Sequence, residues 1–215
     1  MIKQTIIVFC AHSDDQIFGV GGTLAKYAKE GYDIHTHIFS FGELSHPWLK
    51  SHISGRIRLQ ESIDADNVVG GKSVQFFGVR EGKFYEDGKK YNVKAKIAKI
   101  IMEKKPDKIF THSDDDPHPD HKAVNDMILQ VYDKGKHKCD VYTFNIWNFV
   151  STKNRDAPKL VVDISQTFKK KIKALRQFRS QWMSLISLMP SVYIKAIIHG
   201  IKNKVKFAEV FRKVR

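Results

Sequence analysis

The stretch that decides the fold is Thr5–Gln16, which reads TIIVFCAHSDDQ. Its first half, Thr5–Cys10, is an apolar run that predicts a buried strand. An imidazole and two adjacent carboxylates follow, and the glycine-rich segment 19–24 (GVGGTL) predicts a turn that feeds a helix. Because open α/β sheets bind ligands beyond the carboxyl ends of their strands, the polar half of this stretch predicts a functional site.

The rest of the chain alternates strand-like and helix-like segments, and no composition break, linker or repeat divides it. This alternation predicts an α/β fold: one Rossmann-like, doubly wound domain over residues 1–182 with a mostly parallel sheet. A basic, partly apolar helical extension, residues 183–215, is expected to return to the same domain. The predicted strands are 2–10, 32–40, 73–77, 108–111, 140–147 and 159–164. The predicted helices are 17–29, 55–69, 92–104, 121–131 and 166–182, with loops at 41–54, 80–83 and 112–120.

Size and composition narrow the protein class. The 215 residues are 42% hydrophobic, which suffices for one sizeable core. We expect no membrane span, because no apolar run is long and charge-free enough, and the N-terminus carries no secretory signal pattern. Cys10 and Cys139 are too few for a disulfide framework, so a reducing, cytoplasmic setting is expected.

The formal net charge of +14 is concentrated in the C-terminal segment, where Glu209 is the only acid from Phe168 onward. Such a field favours an anionic partner: a phosphorylated substrate, an anionic membrane surface or nucleic acid. A lysine-rich, well-solvated surface explains the charge equally well. The segment 182–206 also crowds apolar residues around Pro190, which we expect to interrupt it. It is interpreted either as a membrane-surface element, peripheral on a cytoplasmic protein, or as a helix that packs on the domain or on a second subunit.

A second polar motif, His118–His121 (HPDH), follows the predicted fourth strand. In a parallel sheet it lies at the same edge as the first motif. The residues brought together would be His12, Asp14, Asp15, His118, Asp120 and His121. Two histidines and one carboxylate are a common facial ligand set for a divalent metal, with positions left for water and substrate. One of the adjacent aspartates can bind the metal while the other acts as general base on a metal-bound water, and the spacing leaves open which does which.

Other chemistries fit the sequence less well. The glycines at 19, 21 and 22 do not match Gly-x-Gly-x-x-Gly, and the acidic loop before them would repel a pyrophosphate. No phosphate-binding Gly-x-x-x-x-Gly-Lys-Ser/Thr loop is present. His112 begins the second loop and is expected beside the ligands. The remaining histidines are expected to lie in the core or on the surface: His35, His37, His46, His52, His137 and His199.

The two motifs carry a family resemblance. The chain resembles the PIG-L/LmbE-like deacetylases, whose motifs are Ala-His-Pro-Asp-Asp-Glu and His-Pro-Asp-His. The first appears here as Ala11–Gln16 (AHSDDQ), and the second matches in full. The resemblance covers nearly the whole chain, since further matches occur at Phe41–Glu43, Arg58–Glu61, Val161–Ile164 with the helix 171–181, and Phe207–Phe211.

The resemblance implies a zinc-dependent N-deacetylase that releases acetate from an N-acetylglucosamine-type sugar, with Fe2+ as an alternative metal. It implies that His12, Asp15 and His121 bind the metal. It further implies that Asp14 is the general base, that His118 is an imidazolium stabilising the oxyanion, and that Asp120 orients a histidine. Arg58 and Glu81 would contact the substrate. Ser13 and Gln16 depart from the motif, and Gln16 removes a charge close to the site.

Three alternatives stay open. A metal-dependent amidase on a non-sugar amide would need the same groups. A non-catalytic module for an anionic glycan or nucleic acid would not need Asp14 and His118, so we expect an amino-sugar partner, anionic or lipid-linked, rather than nucleic acid. A non-haem iron oxygenase shares the ligand set but usually carries it on another fold.

Overall fold

The computed structural model describes residues 3–42, 51–148 and 157–215. The strands are β1 Thr5–Cys10, β2 Asp33–Ile38, β3 Ser73–Phe76, β4 Lys108–His112, β5 Asp140–Phe144, β6 Lys159–Asp163 and β7 Ala208–Lys213. The helices are α1 Asp15–Lys29, α2 Ser51–Val69, α3 Phe84–Lys90, α4 Val93–Lys104, α5 Pro119–Lys134, α6 Phe168–Leu175 and α7 Trp182–Lys202, with a 3-10 turn at Arg179–Gln181.

Within the described ranges the sheet has seven strands, in the order β3-β2-β1-β4-β5-β7-β6. Strands β1 to β5 are parallel, and β7 runs antiparallel between β5 and β6. Strands β2 and β3 follow one another on one side of β1, and β4 and β5 follow one another on its other side. The strand order therefore reverses between β1 and β4, which is where such sheets open a crevice for ligands. The α/β class and the mostly parallel sheet agree with the sequence prediction.

Two apolar layers cover the faces of the sheet. Helices α1, α2, α6 and α7 pack on one face, and α3, α4 and α5 pack on the other. Strand β1 supplies both layers: Ile6, Val8 and Cys10 face the first, while Ile7 and Phe9 face the second. Because β1 is buried on both sides, its sequence is continuously apolar rather than alternating.

Two predictions overlap at residues 19–24: the helix 17–29 is confirmed, and the turn is wrong, because these residues lie inside α1. A Cβ on Gly19 would lie 2.2 Å from the Phe144 ring, and a Cβ on Gly22 would lie 2.7 Å from Ile164. Glycine in a helix interior costs about 1 kcal/mol relative to alanine. Here that cost is offset by the close approach of α1 to the neighbouring side chains.

Several boundaries also differ from the sequence prediction. Helix α5 begins at Pro119 rather than His121, since proline suits the first position of a helix, where its missing N–H is not needed. Strand β5 ends at Phe144 rather than Trp147, because the N–H groups of Ile146 and Trp147 bond to Asp116 instead of a strand. Helix α3 was not predicted. The expected loop 41–54 falls partly on residues 43–50, outside the described ranges.

The C-terminal segment departs furthest from expectation. The predicted helix 166–182 breaks after Leu175, and the carboxylate of Glu61 binds the N–H and hydroxyl of Ser180 at the break. Pro190 lies inside α7 and does not interrupt it. The carbonyl that loses its partner belongs to exposed Ile186, where water can replace the missing N–H. The extension also contains strand β7, so it is not wholly helical. The domain boundary at residue 182 stays a prediction.

The prediction of no membrane span also needs correction. Arg179–Lys202 is one helical segment long and apolar enough to cross a bilayer by length and composition. Leu188, Val192 and Ala196 of α7 nevertheless pack into the core of the domain.

Candidate metal centre

The carboxyl ends of β1 and β4 bring the two motifs together, as predicted. Asp14 is the residue that precedes α1, and Asp15 is the first residue of that helix. His118 occupies the equivalent capping position of α5, and His121 lies in its first turn. Two helix starts and two strand ends therefore converge at the switch point between β1 and β4.

His12, Asp15 and His121 can each direct one ligand atom to a common point, since these atoms lie within 4.8 Å of one another. Asp15 Oδ2 lies 3.4 Å from His12 Nδ1 and 3.5 Å from His121 Nε2. Two imidazoles facing one carboxylate form the donor set of a catalytic zinc centre. Burial by itself would raise the pKa of Asp15, but His121 and His112 outweigh burial and hold that pKa well below its ordinary value.

Each imidazole of this set has a carboxylate on its other nitrogen. Asp120 Oδ2 lies 3.3 Å from His12 Nε2, and Asp116 Oδ1 lies 3.1 Å from His121 Nδ1. Such carboxylate–histidine pairs fix the orientation of metal-binding imidazoles. They also leave Nδ1 of His12 and Nε2 of His121 facing Asp15. Burial lowers the pKa of His12, yet Asp120 and Asp15 outweigh it and raise that pKa to about 10.

Two further clusters overlap this set: His12 with His118 and Asp120, and His112 with Asp116 and His121. In the second cluster, His112 Nε2 accepts a hydrogen bond from the Ala11 N–H at 3.0 Å, so this nitrogen is already used by the backbone. The ring of His112 stacks on His121 at 3.8 Å between centroids. This supports the expectation that His112 lies beside the ligands.

Asp14 differs from its neighbour because its carboxylate is not used by the helix. Aspartate is a preferred N-cap residue, yet the Asp14 side chain makes no cap hydrogen bond. Asp14 Oδ1 lies 3.8 Å from the Arg58 guanidinium. Burial raises the pKa of Asp14, and Arg58 opposes that rise. A buried carboxylate with a raised pKa beside a metal site is suited to general-base chemistry.

Arg58 connects the first motif departure, Ser13, with Asp14 and Glu81. Its Nε donates to Ser13 Oγ at 2.8 Å, so the serine that replaces proline anchors the guanidinium. It also donates to the Gly42 carbonyl at 3.1 Å and lies 3.8 Å from Glu81. Arg58 is only 3% exposed. The structure therefore brings Arg58 and Glu81 to the site, with Arg58 as a buried support of Asp14.

Gln16, the second departure, points into the core. Its Nε2 donates to Ser62 Oγ at 3.1 Å, and its Oε1 faces Cys10 Sγ at 3.9 Å. Both partners are neutral, and the Gln16 side chain is fully buried. A neutral amide fits this position, whereas an ionised glutamate would bring an unpaired charge into it.

His118 is half-buried and lies against both other imidazoles, 5.0 Å from His12 and 4.6 Å from His121 between ring centroids. Its Nδ1 accepts the Asp120 N–H at 3.2 Å. This bond assigns the proton of a neutral ring to Nε2. Burial, with His121 and His12 nearby, lowers the pKa of His118. Both features favour the neutral ring, and the imidazolium implied by the family resemblance stays a prediction.

Asp116 was missed at the sequence level. It is fully buried, accepts from the N–H groups of His118 and Ile146, and contacts His121. Although burial alone would raise it, these contacts lower the pKa of Asp116 to about 2. The available signal was its position two residues before the second motif. Three consecutive aspartates, 114–116, gave no reason to choose among them.

The chain is similar in sequence and in fold to proteins of known family. The family model of PIG-L, GlcNAc-PI de-N-acetylase, matches residues 7–132. A probable N-acetyl-alpha-D-glucosaminyl L-malate deacetylase 2 of Bacillus cereus is 27% identical, covering 86% of this chain and 87% of the relative. A 4-oxalmesaconate hydratase of Pseudomonas putida is also 27% identical, but over 54% of this chain and 46% of the relative.

Solved structures show the same fold. The N,N'-diacetylchitobiose deacetylase from Pyrococcus horikoshii superposes with a TM-score of 0.84 at 20% identity, covering 99% of this chain and 84% of that one. The 4-carboxy-2-hydroxymuconate hydratase GalB from Pseudomonas putida superposes with a TM-score of 0.83 at 22% identity, covering 99% and 96%. The family match spans more than half of the residues and both motifs. The chain therefore belongs to the PIG-L family of metal-dependent de-N-acetylases.

Proposed function

We propose that this enzyme hydrolyses the acetamide of an N-acetylglucosamine-type sugar, releasing acetate and a free amine, with zinc as its metal. The observation that carries the proposal is the position of Asp14. Its buried carboxylate makes no helix-capping hydrogen bond, and it lies beside two imidazoles and a carboxylate that face one point. Ferrous iron would suit the same nitrogen and oxygen donors.

His12, Asp15 and His121 would hold the metal, and they fit it because Asp120 and Asp116 occupy the outward nitrogens of the two rings. When bound, the metal would lower the pKa of its water and polarise the acetamide carbonyl. Asp120 and Asp116 would keep the two imidazoles oriented.

Asp14 takes the proton of the attacking water and delivers it to the departing amine nitrogen. Arg58, whose guanidinium lies 3.8 Å from Asp14 Oδ1, holds that carboxylate in place. His118 donates its Nε2 hydrogen to the developing oxyanion, a contribution worth about 3 kcal/mol for a well-placed donor. Glu81, 4.0 Å from His12 and 3.8 Å from Arg58, would accept a sugar hydroxyl. The predicted substrate contact of Arg58 would be limited to its guanidinium tip, because the side chain is buried.

The test is acetate release by the zinc-loaded protein from a panel of N-acetyl sugars in free, phosphorylated and lipid-linked form. We expect acetate from at least one N-acetylglucosaminyl member and none from the matched N-propyl amines, which carry no amide. Absence of acetate across the panel, with zinc bound, would contradict the proposal. Release from simple acetanilides alone would favour the non-sugar amidase.

A second candidate, hydration of an unsaturated carboxylic acid, is favoured by the sequence similarity to 4-oxalmesaconate hydratase and the structural similarity to GalB. Asp14 would then take a proton from water as the hydroxyl adds to one carbon of the double bond, and would return that proton to the other carbon. An assay with 4-oxalmesaconate distinguishes the two reactions, because hydration consumes the conjugated absorbance and forms no acetate.

We also propose that α7 contacts an anionic membrane surface, which would place this cytoplasmic enzyme beside a lipid-linked or phosphorylated amino sugar. Met183, Ile186, Ile194, Ile197 and Ile201 recur at helical spacing and are all exposed. Exposed cations lie at both ends of the helix: Arg176, Arg179, Lys202, Lys204 and Lys206. In a symmetric pair of chains these like charges would repel, which argues against a second copy as the occupant.

Sedimentation with vesicles containing phosphatidylserine tests this contact. We expect binding at low salt and its loss in the double variant Ile186→Asp, Ile201→Asp. No binding at low salt would contradict it, and a concentration-dependent dimer with no vesicle binding would assign the surface to an oligomer.

A further inference from the structure

A large cavity lies between α7 and the sheet, on strands β5, β7 and β6. Its volume is about 720 Å³, within the usual range for sites that bind small molecules. Its walls are mainly apolar and include Phe144, Val161, Leu188, Val192 and Phe211. Such walls can cover an aliphatic chain but offer it few hydrogen bonds.

The charged residues of this cavity are almost all cationic. Lys159, Lys195, Lys202 and Arg212 line it, and Glu209 is the one acid among the lining residues that the structure describes. Arg212 is paired with Asp114. For Lys159 and Lys202, no carboxylate of the described residues lies within ion-pair distance.

The negative charge of Glu209 is already used within the fold. Lys171 Nζ lies 2.7 Å from Glu209 Oε1, and the N–H groups of Gly22 and Thr23 donate to the same carboxylate at 3.1 and 2.8 Å. The cavity thus has a surplus of positive charge. This surplus favours a ligand with a negative head group.

Two polar groups show where such a head group would lie. Lys195 Nζ donates to the carbonyls of Ile146 and Asn145 at 2.9 and 3.3 Å, which holds the ammonium in the cavity wall. Burial, reinforced by nearby Lys171, lowers the pKa of Lys195 to about 8, and the carboxylate of Asp116 opposes that fall. An anionic head group in the cavity would act in the same direction as Asp116. Asn145 Oδ1 is buried in the same wall and finds no donor among the described residues.

We propose that this cavity binds an amphipathic anion, a single aliphatic chain that ends in a phosphate or carboxylate. The chain would lie along the apolar walls under α7, and the head group would lie beside Lys195. A protonated phosphate oxygen would donate to Asn145. The proposal does not depend on the reaction at the metal centre.

The metal centre and the cavity share one wall. The backbone of Ile146 donates to Asp116 through its N–H and accepts from Lys195 through its carbonyl. The ligand can therefore be the lipid portion of a substrate or a separate amphiphile. Both sources present the same chemistry to the cavity.

Isothermal titration with dodecyl phosphate, below its micelle concentration, tests the proposal on the full chain. We expect one molecule bound per chain, and at least tenfold weaker binding by dodecyltrimethylammonium and by methyl phosphate. Ile198 lines the cavity and is 45% exposed, whereas Ile201, on the same helix, is 72% exposed and does not line it. Ile198→Asp should weaken dodecyl phosphate binding at least tenfold, and Ile201→Asp should change it less than twofold.

Thermal melts of both isoleucine variants report whether they stay folded. Lys195→Met provides a second probe, which should weaken binding through the head group alone. The absence of binding to the wild type, equal binding of the cationic amphiphile, or equal loss in both isoleucine variants would overturn the proposal. Competitive inhibition of acetate release by dodecyl phosphate would identify the lipid portion of a substrate, and binding without competition would identify a separate ligand. Failure of acetate release leaves the titration unaffected, so the two proposals fail separately.

Discussion

The metal centre and helix α7 depart from the usual distribution of residues in opposite ways. The metal centre buries charged side chains, and α7 exposes large apolar ones. At the metal centre nearly every buried charge has a partner of opposite sign: Asp15 has His12 and His121, and Asp116 has His121. The apolar stripe of α7 has no such partner within the described residues. Buried charge is stable only when it is paired, whereas exposed apolar surface persists where something outside the chain covers it.

The largest effect is expected for Asp14, because it is the one site carboxylate that neither the helix nor an imidazole uses. Asp14→Asn should lower kcat by about a thousandfold, the scale of a lost general base, while zinc content stays unchanged. Acetate release and elemental analysis measure the two quantities. Asp126→Asn, the same chemical change at an exposed position of α5, is the control and should leave kcat unchanged. Normal turnover in the Asp14 variant would remove it as the base.

The second-largest effect is expected for Asp116, which contacts His121 but is not one of the three proposed metal ligands. Asp116→Asn should weaken zinc binding about 10- to 100-fold, since the imidazole loses its charged partner. Competition with a chelator measures the affinity, and the adjacent Asp115→Asn serves as control. His121→Ala should abolish zinc binding outright. If the Asp116 variant binds zinc as tightly as the wild type, the pairing at 3.1 Å has no role in metal binding.

Gly19 lies between the two regions, because it contacts Phe144, which also lines the cavity under α7. Gly19→Ala should lower the free energy of unfolding by about 1–3 kcal/mol, since its methyl group would overlap the Phe144 ring. Gly55→Ala in α2 is the matched control, because its Cβ would meet Phe41 at 3.4 Å. That variant should gain up to about 1 kcal/mol from helix propensity. Urea unfolding compares them, and a gain in both would contradict the close packing of α1.

The smallest effect is expected for Asp66, which contrasts with the paired carboxylates of the metal centre. It is a buried carboxylate, 3% exposed, and among the described residues the Thr36 hydroxyl alone donates a hydrogen bond to its side chain. Burial raises its pKa to about 7. The folded state then holds a proton that the unfolded chain has already lost, so stability falls as pH rises through 7. Between pH 6 and 8 the loss should be about 1 kcal/mol.

Asp66→Asn should remove this pH dependence, as measured by urea unfolding at both pH values. Asp64→Asn, on the same helix, should keep the wild-type dependence. An equal slope in the wild type and the Asp66 variant would mean that Asp66 is ionised in the fold.

The sequence predicted most of the metal centre, because short motifs at strand ends specify both residue type and place. Asp116 escaped prediction because only its contact with His121 distinguishes it from Asp114 and Asp115. The fold class followed from the alternation of strands and helices. The glycines of α1 led to the wrong prediction of a turn. They are needed because α1 packs closely against Phe144 and Ile164, which are far away in sequence. Helix α7 was expected to break at Pro190, but a proline whose unpaired carbonyl faces water can stay in a helix.

The central claim is that the edge of β1 and β4 is a metal-dependent deacetylase site. Its most direct test is a titration of the chelated, metal-free protein with zinc, in which bound zinc and acetate release from an N-acetylglucosaminyl substrate are followed together. We predict that activity rises in proportion to bound zinc and levels off at one equivalent per chain. Undiminished acetate release from the metal-free protein, or full zinc occupancy with no acetate from any N-acetyl sugar, would contradict it.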